Sequence, residues 1–72
     1  MQKNKNFASP IEIPQEVIDG LKEVRESAMT NMMQRQNVIV MLQSMGHIEA
    51  AAWIQENKRL YVEALNQMGR SQ

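Results

Sequence analysis

From position 17 onward, apolar side chains recur along this chain at helical spacing. At about 100° per residue, Val17, Ile18, Leu21, Val24 and Ala28 share one face, while Gly20, Lys22, Glu23 and Glu26 lie on other sides. Pro14 suits a first helical turn, where its missing N–H costs nothing, and the acidic Glu16 and Asp19 follow where the helix dipole favours negative charge. The pattern predicts a helix over 14–29, with Arg25 at the edge of the apolar stripe. Thr30 and Asn31 are poor interior residues and good caps, and Asn31 with Gln34 three residues on fits a loose capping box. A break or kink is expected there, although the apolar stripe also continues through Met32, Ile39 and Leu42 as one long helix would require.

The run Val38-Ile-Val-Met-Leu42 is continuous and β-branched, but the chain offers no pairing strand, and Gly46 stands where a helix C-terminus wants glycine. A second helix over 33–45 follows, apolar around most of its circumference and therefore in need of cover. A third and longest helix is predicted over 47–68. Its apolar face gathers Ala50, Trp53, Ile54, Leu60, Tyr61, Ala64, Leu65 and Met68, opposite Gln55, Glu56, Arg59, Glu63, Asn66 and Gln67. Asn57 falls in the middle of that face. It either fixes the register of paired helices or turns to the stripe edge and is hydrated. Positions 1–13 read as a polar arm, flexible or ordered by a partner, with 14–69 as a single helical domain and 70–72 as a frayed end.

The fold class expected is therefore all-α, three helices in a hairpin-like subunit. Its 72 residues bury only roughly 60% of the surface an unfolded chain exposes, which is marginal for a monomer. With no cysteine there is no disulfide staple, and one histidine makes no metal site unaided. Homo-oligomerisation, as a dimer or tetramer, is the staple that remains, with Ile54, Asn57, Leu65 and Met68 as the expected contacts.

Charge and composition narrow the chemistry. Eight Lys and Arg against eight Asp and Glu give a formal charge of zero, which lacks the basic excess of a protein held on nucleic acid by phosphate contacts. A helix-turn-helix around Gly46 would open on His47-Ile-Glu-Ala-Ala-Ala-Trp53, with an acid and alanines where base-reading side chains belong, so nucleic acid is disfavoured. His47 and Glu49 do not share a helix face, no histidine or cysteine base-nucleophile pair can be assembled, and no phosphate-cradling glycine loop is present. The chain is read as a non-enzyme with no catalytic residue, no metal and no cofactor. No apolar run approaches a membrane span or a signal peptide, so no membrane partner and a cytoplasmic location are expected.

Binding chemistry is better represented. Trp53 and Tyr61 lie two turns apart on one broad face, and with Arg25, Lys58 and Arg59 nearby in a helical hairpin they suit a planar anion such as a nucleotide. In that arrangement the cations meet phosphates, an aromatic stacks on the base, and Thr30 and Asn31 hydrogen-bond the ligand or cap a helix. The same aromatics also suit a core. Met29, Met32 and Met33 crowd one joint, where flexible thioethers serve either packing or an adaptable protein-binding surface.

At Ile13-Pro-Gln-Glu-Val-Ile18, Val24-Arg-Glu-Ser27, Thr30-Asn-Met32 and Trp53-Ile-Gln-Glu-Asn-Lys58 followed by Tyr61, the chain resembles a family of short phage and prophage proteins of Gram-positive bacteria, grouped as a domain of unknown function. It departs from that pattern at Ala28, where the family tends to carry glycine, and at Gln34, where it tends to carry aspartate. The resemblance implies a phage origin, hence the host cytoplasm, and a small factor that acts by binding. In size and in the Trp53, Lys58-Arg59, Ala64-Leu65 spacing the chain is also loosely similar to helical phage sponge proteins, which sequester cyclic-nucleotide immune signals between subunits. Sequestration of a nucleotide second messenger is the leading functional expectation. A protein–protein inhibitor of a host enzyme is the alternative, and a small DNA-binding regulator the third.

Overall fold

A computed structural model describes residues 12–70. Four α-helices follow one another, α1 (Gln15–Ser27), α2 (Arg35–Ser44), α3 (Ile48–Glu56) and α4 (Tyr61–Arg70), with a single 3-10 turn, Lys58–Leu60, between the last two. Among the described residues there is no strand, so the all-α expectation holds. The expected arm lies outside the described residues except at its end, where Ile13 packs on the core and so belongs to the domain.

Pro14 precedes α1, and its carbonyl accepts the N–H groups of Val17 at 3.0 Å and Ile18 at 3.4 Å. At the other end Ser27 Oγ donates to the Val24 carbonyl at 2.6 Å and accepts the Met29 N–H at 3.3 Å, turning the chain out of the helix. The break between the first two helices falls here. Asn31 serves it differently from the expected helix cap: its Oδ1 accepts the Met33 N–H at 2.9 Å and its carbonyl the Gln34 N–H at 2.9 Å, which builds a turn, and α2 begins only at Arg35.

Ala28 and Gln34 sit at the two ends of this connection. Ala28 follows α1 with φ 56 and ψ 22, a left-handed conformation that costs a side-chain-bearing residue about 1–2 kcal/mol. Gln34 occupies the N-cap of α2 and makes no side-chain cap bond. Ala28→Gly and Gln34→Asp are each expected to raise the unfolding free energy by about 0.5–1 kcal/mol, read as a shift in urea midpoint at unchanged slope.

Gly46 ends α2 as the sequence suggests. With φ +90 it lets its own N–H reach the Gln43 carbonyl at 3.1 Å and the His47 N–H reach the Leu42 carbonyl at 2.8 Å, the paired bonds of a Schellman motif. The long third helix, by contrast, is two helices. Asn57 breaks it in a non-helical conformation, φ −121 and ψ 51, with its backbone N–H and its side-chain Nδ2 both donating to the Trp53 carbonyl at 2.9 Å. Its polarity inside the apolar stripe marks a helix end.

Val17, Ile18, Leu21 and Val24 of α1 pack with Val38, Ile39 and Leu42 of α2, Ala50, Ala51 and Ile54 of α3, and Tyr61, Ala64 and Met68 of α4. Ala28 is exposed and Gly20 is buried, the reverse of the sequence reading. Gly20 lies where α1 meets the end of α2 and the start of α3; a Cβ there would stand 2.8 Å from Leu42 Cδ2 and 3.5 Å from both Ala50 Cβ and His47 Cγ. Three of the expected oligomer contacts are committed within the subunit. Ile54 and Met68 are buried in its core, and the Asn57 side chain caps α3; Leu65 is half-buried against the core.

Candidate functional site

Where α3 ends, Asn57 redirects the chain and its carbonyl accepts the Leu60 N–H at 2.8 Å, closing the 3-10 turn that carries Lys58 and Arg59. Both cations are exposed, on the side where α2 begins. Arg35, the first residue of α2, reaches across with Nη1 at 3.5 Å from the Ile54 carbonyl near the end of α3. Between these elements lies an open cleft of about 780 Å³, lined by Arg35, Gln36, Gln55, Glu56, Asn57, Lys58, Arg59 and Leu60.

Charge in the cleft does not cancel. Three guanidinium or ammonium groups face one carboxylate, Glu56, and about half a negative charge from the C-terminal end of α3. A positive excess of more than one unit remains. The amide side chains of Gln36 and Gln55 add donors and acceptors at its wall. The arrangement can hold an anion by charge-assisted hydrogen bonds.

The opposite end of α3 carries the compensating charge. Glu16 of α1 has its carboxyl held above the usual range by a hydrogen bond to Glu49 and by that residue's negative charge. Nearby, His47 Nε2 is hydrogen-bonded to a carboxylate oxygen of Glu23, tying the start of α3 to α1. No group of three metal-ligating side chains occurs among the described residues.

Of the seven expected ligand contacts, the fold brings Lys58 and Arg59 to the cleft. Arg25 is half-buried in the last turn of α1, and Thr30 and Asn31 lie in the connection before α2. Trp53 packs its half-buried ring against the core. Tyr61 is 5% exposed and its hydroxyl donates to the Met32 carbonyl, so its ring lies in the core, away from the cleft lining. Arg35, Gln36 and Gln55 were not signalled by the sequence, because they join the cleft through the packing of α2 on α3.

Burial pushes the Tyr61 phenol up to about 12, against a smaller opposing pull from Arg35. The neutral form is the one the fold accepts, so this contribution to stability is whole below the ordinary phenol value of about 10 and is lost as pH rises toward 12. Tyr61 is the chain's single tyrosine. The tyrosinate ultraviolet band is therefore expected to rise with a midpoint near 12 and in step with loss of helical dichroism; a midpoint near 10 would place the ring in solvent.

Comparison with curated proteins and with solved structures gives no match. A family model does match, over residues 13–65, from the Ile13 that packs on the core into the middle of α4. By that match, which takes in every residue of the cleft, the chain belongs to DUF5049, a family described as a domain of unknown function.

Proposed function

We propose that this protein acts by binding, and that it sequesters a small phosphate-bearing nucleotide in the cleft between the start of α2 and the end of α3. The observation that carries the reading is the convergence of Arg35, Lys58 and Arg59 on one open cleft, in a chain whose formal charge is zero. Recognition is by the phosphates. Arg35 and Arg59 offer planar forks for phosphate oxygens, Lys58 adds a point charge, and the amides of the exposed Gln36 and Gln55 suit a sugar or the base edge.

The likeness to short phage and prophage proteins supports a counter-defence setting, in which the ligand is a nucleotide second messenger of host antiviral signalling. Tight binding lowers the free messenger below what its effector needs, and no bond is broken. Calorimetric titration with a panel of linear and cyclic nucleotides tests this. Micromolar or tighter binding is expected, weakened about 10- to 100-fold by Lys58→Glu with Arg59→Glu and weakened by added salt. The ligand should be recovered intact on heat denaturation. A panel with no binder, or one whose binding ignores both substitutions, would sink the proposal.

A further inference from the structure

Helix α2 differs from the other helices on its solvent side. Its inner face supplies Val38, Ile39 and Leu42 to the core, and its outer face exposes Val40 at 60%, much as α3 exposes Ile48 and α4 exposes Val62 at 59%; what sets α2 apart is that Asn37, Gln43 and Ser44, exposed on the same helix, are all uncharged. In the connection before it, Met29 and Met33 are 75% and 71% exposed. Beside them lies a shallow hollow of about 260 Å³, walled by Met29, Thr30, Asn37, Val40 and Met41. No charged residue occurs from position 36 to 46, in a chain that is 22% charged. Helices α1, α3 and α4 all carry Asp, Glu, Lys or Arg on their solvent sides.

A solvated helix face normally carries charge, so its absence here is informative. The choice of occupant follows from electrostatics. A surface that meets its own copy across a two-fold axis sets any charge near that axis against an identical one, a repulsive contact, whereas a surface built for a different protein gains from charges that complement the partner's. An uncharged face with exposed apolar side chains and a neighbouring hollow is the self-complementary case. We propose that the outer face of α2, with Met29 and Met33, is a two-fold interface between two copies of this chain, in which Met33 of each copy seats in the hollow of the other. The unbranched thioether can follow an irregular wall that a β-branched side chain could not.

One helix face with two methionines is smaller than a standard interface of about 1,600 Å², so a micromolar dimer is expected rather than a nanomolar one. Sedimentation velocity on the full chain, from low micromolar to near-millimolar protein, should show the mass double with concentration. Val40→Lys and Met33→Lys should each raise the dissociation constant at least about thirtyfold while leaving helical dichroism unchanged, since both positions are exposed. Neither position lines the charged cleft, so nucleotide titration of the same variants keeps this interface separate from the proposed ligand site. A wild-type chain that stays monomeric throughout, including one that engages a host protein through the same methionines, would overturn the proposal. So would a dimer that survives both substitutions.

Discussion

Replacing Leu42 with alanine is expected to lower the unfolding free energy by about 2–5 kcal/mol. Leu42 is fully buried, and it comes from the last turn of α2 into the junction where α1, α2 and α3 meet. Truncation removes the transfer energy of the lost carbons and leaves a cavity that rigid neighbours cannot fill. A domain of this length has only about 4–11 kcal/mol in total at typical per-residue stability, so the loss spans a large part of it. Thermal and urea melts followed by helical dichroism would show either a strongly lowered midpoint or a chain unfolded at room temperature. A change below about 1 kcal/mol would mean that this junction is loosely packed.

The second large effect lies on the other side of the same contact. Gly20→Val is expected to cost about 3 kcal/mol, because its Cβ alone would stand 2.8 Å from Leu42 Cδ2 and its two γ-carbons would meet walls already filled by Ala50 and His47. Gly20→Ala poses a closer contest. Helix propensity favours alanine by about 1 kcal/mol, while the 2.8 Å contact opposes it and can be relieved only by moving a buried side chain. The sign should depend on Leu42. In a Leu42→Val background, which has no Cδ2 and itself costs on the order of 1 kcal/mol, Gly20→Ala should become stabilising. If the two substitutions are additive in a double-mutant cycle, the steric account of Gly20 fails.

The 3.6-residue period identified Val17, Ile18, Leu21 and Val24 because a solvent-facing helix separates its faces cleanly, and Gly46 announced its own left-handed turn. Gly20 was misplaced because glycine has no hydropathy to reveal which side it faces; its burial reflects the need for two helices to approach closely. The break at Asn57 was hidden for a related reason. Ile54 and Tyr61 are seven residues apart, two helical turns, so the apolar stripe reads as continuous even though a 3-10 turn intervenes.

At the cleft, Lys58 and Arg59 could be noticed as adjacent cations. Arg35 could not be added to them, since it reaches Ile54 across 19 positions of sequence and through the pairing of α2 with α3. Tyr61 shows the limit from the other direction. Its place on the apolar face was readable, but the Met32 carbonyl that receives its hydroxyl once the ring is packed in the core is 29 residues away. Periodicity reports which side of an element is dry; it carries no information on which polar groups from different elements become neighbours.

The separation of charge along α3 has a practical consequence. Nine residues of helix set the Glu16, Glu49 pole about 14 Å from the Arg35, Lys58, Arg59 pole. Near its isoelectric point of about 6.6 the chain should stand still in an electric field and yet be retained at low ionic strength by both anion- and cation-exchange resins, each resin gripping one end of the molecule. Occupation of the cleft by a polyanion would abolish retention on the cation exchanger and strengthen it on the anion exchanger. A column can thus report the state of one end of a molecule whose total charge is silent.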